Sequence, residues 1–404
     1  MDYQNVAVVA AFALIYSLLA SRLERTPISG ALVYVIAGFL CSPYVFGFFA
    51  IRVDGEGLST LAELTLALVL FTGAANTNLA TLRQVESIPI RLLLIGLPLT
   101  IALGLGVGYL IFDGLGLFEV ALLATMLAPT DAALGQAVVT NEAVPDSVRE
   151  SLNVESGLND GICVPVLLFF LALAAGQTDA GQAAGLVFEL PLKAIGIGVL
   201  VGIAGGVLGS EVLEFCTQRK WVSGTWLQVP VIALAMLCFA ASQGLGGSGF
   251  IACFVGGLIF GGLAKRHKKA YLDAAEGNGD LMALVTWFVF GAAAIGLTMQ
   301  FLDWRVFVYA LLSLTIVRIV PVFLCLSGLK LQFDTKLFMG WFGPRGLASI
   351  VFVVMVLADE LPGSEILLTT VTWTILLSIV LHGISANPLA AVYGARAKQR
   401  GGTI

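Results

Sequence analysis

Apolar runs long enough to cross a bilayer recur from one end of this chain to the other, and that property excludes most folds. Breaking the sequence at charged, proline and glycine clusters gives thirteen candidates. They fall at about 3–20, 28–45, 60–78, 91–112, 116–140, 151–175, 190–211, 226–242, 247–263, 279–298, 305–327, 337–359 and 367–391. Each approaches the roughly 20 residues that a helix needs to span hydrocarbon. Composition agrees, because 12% of the 404 residues are charged where a soluble surface would need roughly 25%. In lipid the backbone must bond to itself, and runs of this length do so as helices. The expected fold class is all-α, a polytopic membrane protein with about 13 transmembrane helices. The first run follows Met1-Asp2 with no basic leader and reads as a spanning helix rather than a signal peptide. The weakest division lies between the eighth and ninth runs, where only Ser242-Gln243-Gly244-Leu245-Gly246-Gly247 intervenes.

Charge asymmetry gives an independent test of the count. Connections after odd-numbered helices, with the C-terminal tail, hold sixteen Lys/Arg: 22, 25, 83, 91, 149, 219, 220, 265, 266, 268, 269, 330, 336, 396, 398 and 400. Connections after even-numbered helices hold three, Arg52, Lys193 and Arg305. The positive-inside rule then places the N-terminus outside and the C-terminus in the cytoplasm. On this account the run Lys265-Arg266-His267-Lys268-Lys269 sets topology and is no sign of nucleic-acid binding. Six cysteines (41, 163, 216, 238, 253 and 325) lie in or beside apolar runs without metal-ligand spacing, and read as small buried hydrophobes.

Charges inside the runs carry the functional signal. Asp131, Glu155 and Asp160 stand against Arg318 and Arg345 at hydrocarbon depth. A charge there normally faces a protein interior or an ion path. Helix five contains Leu127-Ala128-Pro129-Thr130-Asp131, and helix twelve contains Gly340-Trp341-Phe342-Gly343-Pro344-Arg345-Gly346. Proline removes a donor and breaks each helix, and mid-membrane breaks expose peptide dipoles that can coordinate an ion. The two breaks lie seven helices apart, as inverted repeats of helices four to six and eleven to thirteen require. In helix six, Glu155 and Asn159 share a face, as do Ser156 and Asp160. Glu155 is expected to hold Arg345, with Asn159 as a further acceptor. Asp160 is then neutralised by a proton or a metal cation, with oxygens from Asp131 and Thr130 completing the shell. Asp131 has a second reading, as a stabiliser of the broken-helix dipoles. A carboxylate in a poorly solvated site holds a proton more tightly, and a bound alkali ion competes for the same charge.

With these residues in view, the chain resembles the bacterial cation–proton antiporter 1 family, the NhaP-type sodium/proton antiporters, over essentially its whole length. The family's Thr-Asp pair on a discontinuous helix matches Thr130-Asp131. Its Glu-Ser-x-x-Asn-Asp block matches Glu155, Ser156, Asn159 and Asp160, and its Gly-x-Arg-Gly block matches Gly343-Pro344-Arg345-Gly346. The resemblance implies two crossed discontinuous helices, an elevator-like motion and a homodimer surrounded by lipid. It implies dimerisation helices in 1–85 and 216–300, core helices in 86–180 and 301–404 (the latter with a short cytoplasmic tail), and a linking helix in 181–215. It further implies a transient monovalent cation, Na+ or else Li+ or K+, held by Asp160 with Thr130 and Ser156, and electroneutral exchange with H+. No resident cofactor, nucleic acid or soluble partner is implied, and the compartment is a bacterial or archaeal inner membrane. One departure stands out: many relatives carry an acid just after Leu-Phe of helix three, where this chain has Phe71-Thr72-Gly73-Ala74-Ala75-Asn76. Thr72 or Asn76 could supply a neutral oxygen there, and Arg318 is a further accessory candidate.

Other classes fit less well. A cation- or proton-coupled solute permease needs a substrate cavity beyond the ion ligands, and a channel needs a multi-site pore. An enzyme is weaker still, since Ser156 has no nearby histidine in sequence, with His267 on a loop and His382 on a late helix.

Overall fold

The computed structural model describes residues 3–23, 29–49, 56–78, 86–131, 134–176, 180–227, 229–264, 268–357, 359 and 361–399. Among them all regular structure is helical. The helices are α1 (Tyr3–Leu23), α2 (Gly30–Cys41), α3 (Glu56–Asn76), α4 (Ser87–Ile111), α5 (Leu117–Met126), the single turn α6 (Gln136–Val139), α7 (Asp146–Ala174) and α8 (Ala180–Gln218). There follow α9 (Val229–Gly244), α10 (Gly249–Leu263), α11 (Lys268–Phe301), α12 (Trp304–Cys325), α13 (Phe333–Trp341), α14 (Leu347–Leu357) and α15 (Ser364–Gln399). Eight of the described helices are long and apolar enough to cross a membrane, and five shorter apolar helices accompany them. The eighth and ninth runs form the separate helices α9 and α10, turned by Gly246 at a φ of 76°. Helices five and twelve are each interrupted, as α5/α6 and α13/α14.

Two groups of helices pack side by side. In one, α10 lies against α8, α9 and α3, and α11 lies against α2 and α3. In the other, α4 packs on α5 and α12, α5 on α7, and α15 on α12 and α14. The groups meet where α3, α8 and α10 touch α7, and where α3 touches α14. Small residues let the backbones approach: Gly198, Gly202 and Gly206 of α8 face the carbonyls of Ser248, Ala252 and Gly256, with an added Cβ 2.7, 2.7 and 2.6 Å from them. This is close packing of the kind that replaces a hydrophobic driving force in lipid.

The ends of the helices are joined as the odd–even partition of the charges requires. Asn78 N–H after α3 donates to Glu150 Oε2 before α7, at 3.2 Å. Arg91 donates to the Ser327 carbonyl after α12 at 2.8 Å. At the opposite face Arg305 pairs with Asp113 at 2.8 Å, and Gln4 donates to the Phe48 carbonyl at 3.1 Å. Exposed aromatics stand near both sets of helix ends, Trp221 and Trp226 near the first and Tyr109 and Trp304 near the second, where amphipathic rings favour the headgroup level. Of the residues weighed in the charge count, Arg25, Arg52, Arg83, Lys265, Arg266, His267 and Arg400 lie outside the described residues.

Candidate functional site

The two interruptions lie against each other. The Asp131 N–H donates to the Pro344 carbonyl at 2.7 Å, so the non-helical stretches cross in backbone contact. Ser349 Oγ donates to the Met126 carbonyl at 2.8 Å, fastening α14 to the end of α5. Glycine makes the crossing possible. A Cβ added at Gly346 would overlap the Asp131 carboxylate, and one at Gly343 would stand 2.5 Å from Arg318 Nε.

Charges at the crossing are sorted by sign. Asp131 Oδ2 accepts the Leu347 N–H at 2.6 Å, and Oδ1 accepts the Leu134 N–H at 3.1 Å. A carboxylate therefore sits at the N-terminus of α14, the positive end of its dipole. Arg345 Nη1 donates to the carbonyls of Ala128 and Pro129, at 2.9 and 3.0 Å, just beyond the negative end of α5. Each break supplies the charge that the other helix end requires. For Asp131 the hydrogen bonds match the dipole-stabilising reading.

Glu155 is held by a different arginine from the one expected. Arg318 of α12 grips it bidentately, Nη1 to Oε1 at 2.5 Å and Nη2 to Oε2 at 2.8 Å, with both side chains 3% exposed. Arg345, wholly buried, is taken instead by the carbonyls of Ala128 and Pro129 beyond the end of α5. Asn159 also departs from expectation: its amide nitrogen donates to Thr130 Oγ1 at 2.9 Å rather than its oxygen accepting from an arginine. The hydroxyls of Thr130 and Ser156 are 2.8 Å apart, so Thr130, Ser156 and Asn159 form one network.

Asn159 Oδ1, Arg318 Nε, and Arg345 Nε and Nη2 lack a hydrogen-bond partner among the described residues, and of the three carboxylates at the crossing Asp160 is the one with a buried oxygen in the same position. Its residue is 3% exposed, and Oδ1 has no hydrogen-bond partner among the described residues. An unpaired buried carboxylate oxygen is costly. With Asp131, Asn153 and apolar residues of α3 it lines a pocket of about 20 Å³, room for about one water-sized particle.

A larger cavity of about 420 Å³ adjoins this pocket, sharing Val69, Gly73 and Asn153 with it. Thr72 and Asn76 line this outer space and are absent from the residues around Asp160. The Thr72 hydroxyl donates to the Leu68 carbonyl at 3.0 Å, and the Asn76 amide donates to Glu276 Oε1 at 2.6 Å. Glu150, Glu276 and Asp280 line the same cavity, with Arg149 as the one basic side chain among the lining residues described. The sequence reading did not single out these three acids, although Glu276 and Asp280 have the i,i+4 spacing of one helix face. It also passed over Glu119, whose buried carboxylate accepts the N–H groups of Gly116 and Gly363 at 2.8 and 2.7 Å. His382, set aside as remote, is 2% exposed and reaches the broken helix, with Nε2 2.9 Å from the Trp341 carbonyl.

Comparison with known proteins places this geometry. Residues 8–392 match the family model described as sodium/hydrogen exchanger, transmembrane. The chain is similar to a K(+)/H(+) antiporter, NhaP2, of Shewanella sp. (strain MR-4), 25% identical over 387 residues, 95% of this chain and 65% of that protein. It is 23% identical over 317 residues to a Na(+)/H(+) antiporter of Schizosaccharomyces pombe, 70% of this chain and 67% of that one. The chain spans 56% to 65% of the length of the NhaP2 relatives. Among solved structures, the sodium proton antiporter MjNhaP1 of Methanocaldococcus jannaschii at pH 8 superposes with a TM-score of 0.79 at 21% identity, over 95% of this chain and all of that one. The shared fold is the inverted-repeat arrangement with crossed discontinuous helices.

Proposed function

The chain belongs to the sodium/hydrogen exchanger family, and on that premise we propose that it is a secondary antiporter exchanging H+ for a monovalent cation. Na+ is the first candidate, with Li+ and K+ next. The observation that carries this reading is Asp160, a deeply buried carboxylate with an unpaired oxygen beside the crossing of two broken helices. Deprotonated, it binds the cation with help from the oxygens of Thr130 and Ser156. Protonated, it needs no counter-ion and releases the cation. One group that takes either a proton or a cation couples the two fluxes.

The same bonds argue for stoichiometry. Glu155 is committed to Arg318, and Asp131 to the N–H groups of Leu134 and Leu347. That leaves Asp160 to change its occupant, one charge for one charge, and exchange is electroneutral. The pocket of about 20 Å³ beside Asp160 fits a bare ion better than the organic solute of a permease.

In this reading 86–180 and 301–404 form a core that carries the crossing through the membrane. The helices of 1–85 and 216–300 form the static, dimerising part, and 181–215 links them. The cavity between α3, α7 and α11 is the open path to Asp160, on the face richer in Lys and Arg, so the conformation is inward-facing with the N-terminus outside and the C-terminus cytoplasmic. The protein works as a homodimer in a bacterial or archaeal inner membrane. The decisive measurement is proton flux in proteoliposomes under gradients of Na+, Li+ and K+, with and without an imposed voltage. Cation-dependent flux unchanged by voltage is expected; no flux with any of the three would overturn the proposal.

A further inference from the structure

In an unbroken helix the Arg345 N–H would bond to the Trp341 carbonyl, four residues earlier. The break separates them, and two side chains of α15 occupy the gap. The Arg345 N–H donates to Ser378 Oγ at 2.7 Å. Ser378 Oγ lies 3.1 Å from His382 Nδ1, and His382 Nε2 lies 2.9 Å from the Trp341 carbonyl. That carbonyl can only accept, so this contact is a hydrogen bond in the tautomer protonated at Nε2, in which Nδ1 accepts the serine hydroxyl's hydrogen. The donors then run in one direction: Arg345 N–H to Ser378, Ser378 O–H to His382, His382 N–H to Trp341. Nδ1 also lies 2.9 Å from the Ser378 carbonyl, a bond open to the tautomer protonated at Nδ1 or to a doubly protonated ring. Ser378 and His382 are 0% and 2% exposed, so water has little access to replace the chain. Trp341 is tied to the same helix again, through Nε1 to Ser385 Oγ at 2.9 Å.

We propose that Ser378 and His382 are positioning residues for the cation site, splicing the hydrogen bond that the broken helix has lost. Their effect passes through Arg345. With its backbone fixed, the guanidinium stays on the carbonyls of Ala128 and Pro129, which adjoin Thr130 and its network with Ser156 and Asn159. The relay therefore sets where the cation's hydroxyl ligands stand relative to Asp160, and with it affinity and the choice among Li+, Na+ and K+. The transport part of this inference rests on the proposed antiport.

Three variants test it: Ser378→Ala, His382→Phe and His382→Gln, each purified by size exclusion and reconstituted. Hydrogen–deuterium exchange of a peptide across the break reads the relay without any transport. Arg345 amide exchange should quicken about tenfold in Ser378→Ala, the worth of one buried hydrogen bond. In flux assays Ser378→Ala and His382→Phe should raise the apparent cation KM about tenfold and change the Li+:Na+:K+ ratio, whereas a smaller folded fraction would lower only the maximal rate. His382→Gln, which keeps a donor and an acceptor, should restore most of the KM. If His382→Phe fails to insert, Ser378→Ala carries the test alone. Unchanged amide exchange in Ser378→Ala overturns the relay. Quickened exchange with unchanged KM and selectivity overturns the positioning role, as does a His382→Gln variant no better than Phe. A wild-type protein without cation/proton exchange sinks the proposed antiport, while the amide measurement still decides the relay.

Discussion

Glu155 and Asp160 are five residues apart on one helix, equally buried, and opposite in circumstance. Both oxygens of Glu155 are gripped by Arg318, whereas Asp160 keeps an oxygen without a partner among the described residues. Their substitutions should therefore fail differently. Asp160→Asn should leave an assembled protein and reduce cation-dependent proton flux to the background of empty vesicles; substantial flux in that variant would falsify its assignment. Glu155→Ala should strand a buried guanidinium at about 3–5 kcal/mol, read as a large fall in the detergent melting temperature. Arg318→Met combined with Glu155→Leu should recover much of that loss, because no charge is left unpaired. The sequence exposed both acids, since charge in an apolar run needs no structure to be noticed. It could not say which arginine pairs with Glu155. Arg345 looked better placed because its helix is broken, but the carbonyls of Ala128 and Pro129 at the other break claim it.

At the level of helices, proline alone was an incomplete signal. Pro165, Pro321 and Pro388 lie inside helices that continue past them, while Pro129 and Pro344 mark real interruptions. The difference lies in the neighbours: Asp131 and Arg345 satisfy the freed helix ends, and Gly343 and Gly346 let the strands of backbone meet. The blocks were legible because each carries its own charge and its own small residues. Their mutual capping was not, because it joins positions over 200 residues apart in sequence. Gly346→Ala tests the close approach. The added methyl meets the Asp131 carboxylate, and overpacking of this kind costs about 1–3 kcal/mol. Lower thermal stability and lower flux should appear together; a stable, fully active Gly346→Ala variant would show that the crossing is loose.

For the whole molecule, thirteen apolar runs were enough to anticipate an all-helical, many-span membrane fold. What they could not supply was the space between the two packed groups, since cavity walls come from helices remote in sequence. The outer cavity has three acids, Glu150, Glu276 and Asp280, against Arg149, and Arg149 is itself ion-paired with Asp146. A net negative mouth concentrates cations and is screened by salt over about 8 Å at physiological ionic strength. Glu276→Gln with Asp280→Asn should raise the apparent cation KM by about threefold to tenfold at low ionic strength. The increase should fade when an inert, impermeant salt is added; a salt-independent increase would instead mean that these acids bind the ion directly.

The unpaired oxygen of Asp160 also bears on leakage. Around the crossing, Arg318 cancels Glu155, and Arg345 balances Asp131, so in the proposed stroke the crossing itself is electrically silent once Asp160 holds either cargo. Empty, it would carry one uncompensated negative charge across hydrocarbon, against a penalty of several kcal/mol for the bare charge and about 2.3 kcal/mol more or less for each 100 mV of membrane potential. In the proposed antiport the unloaded stroke is thereby suppressed, and the ion gradient does not run down through futile returns.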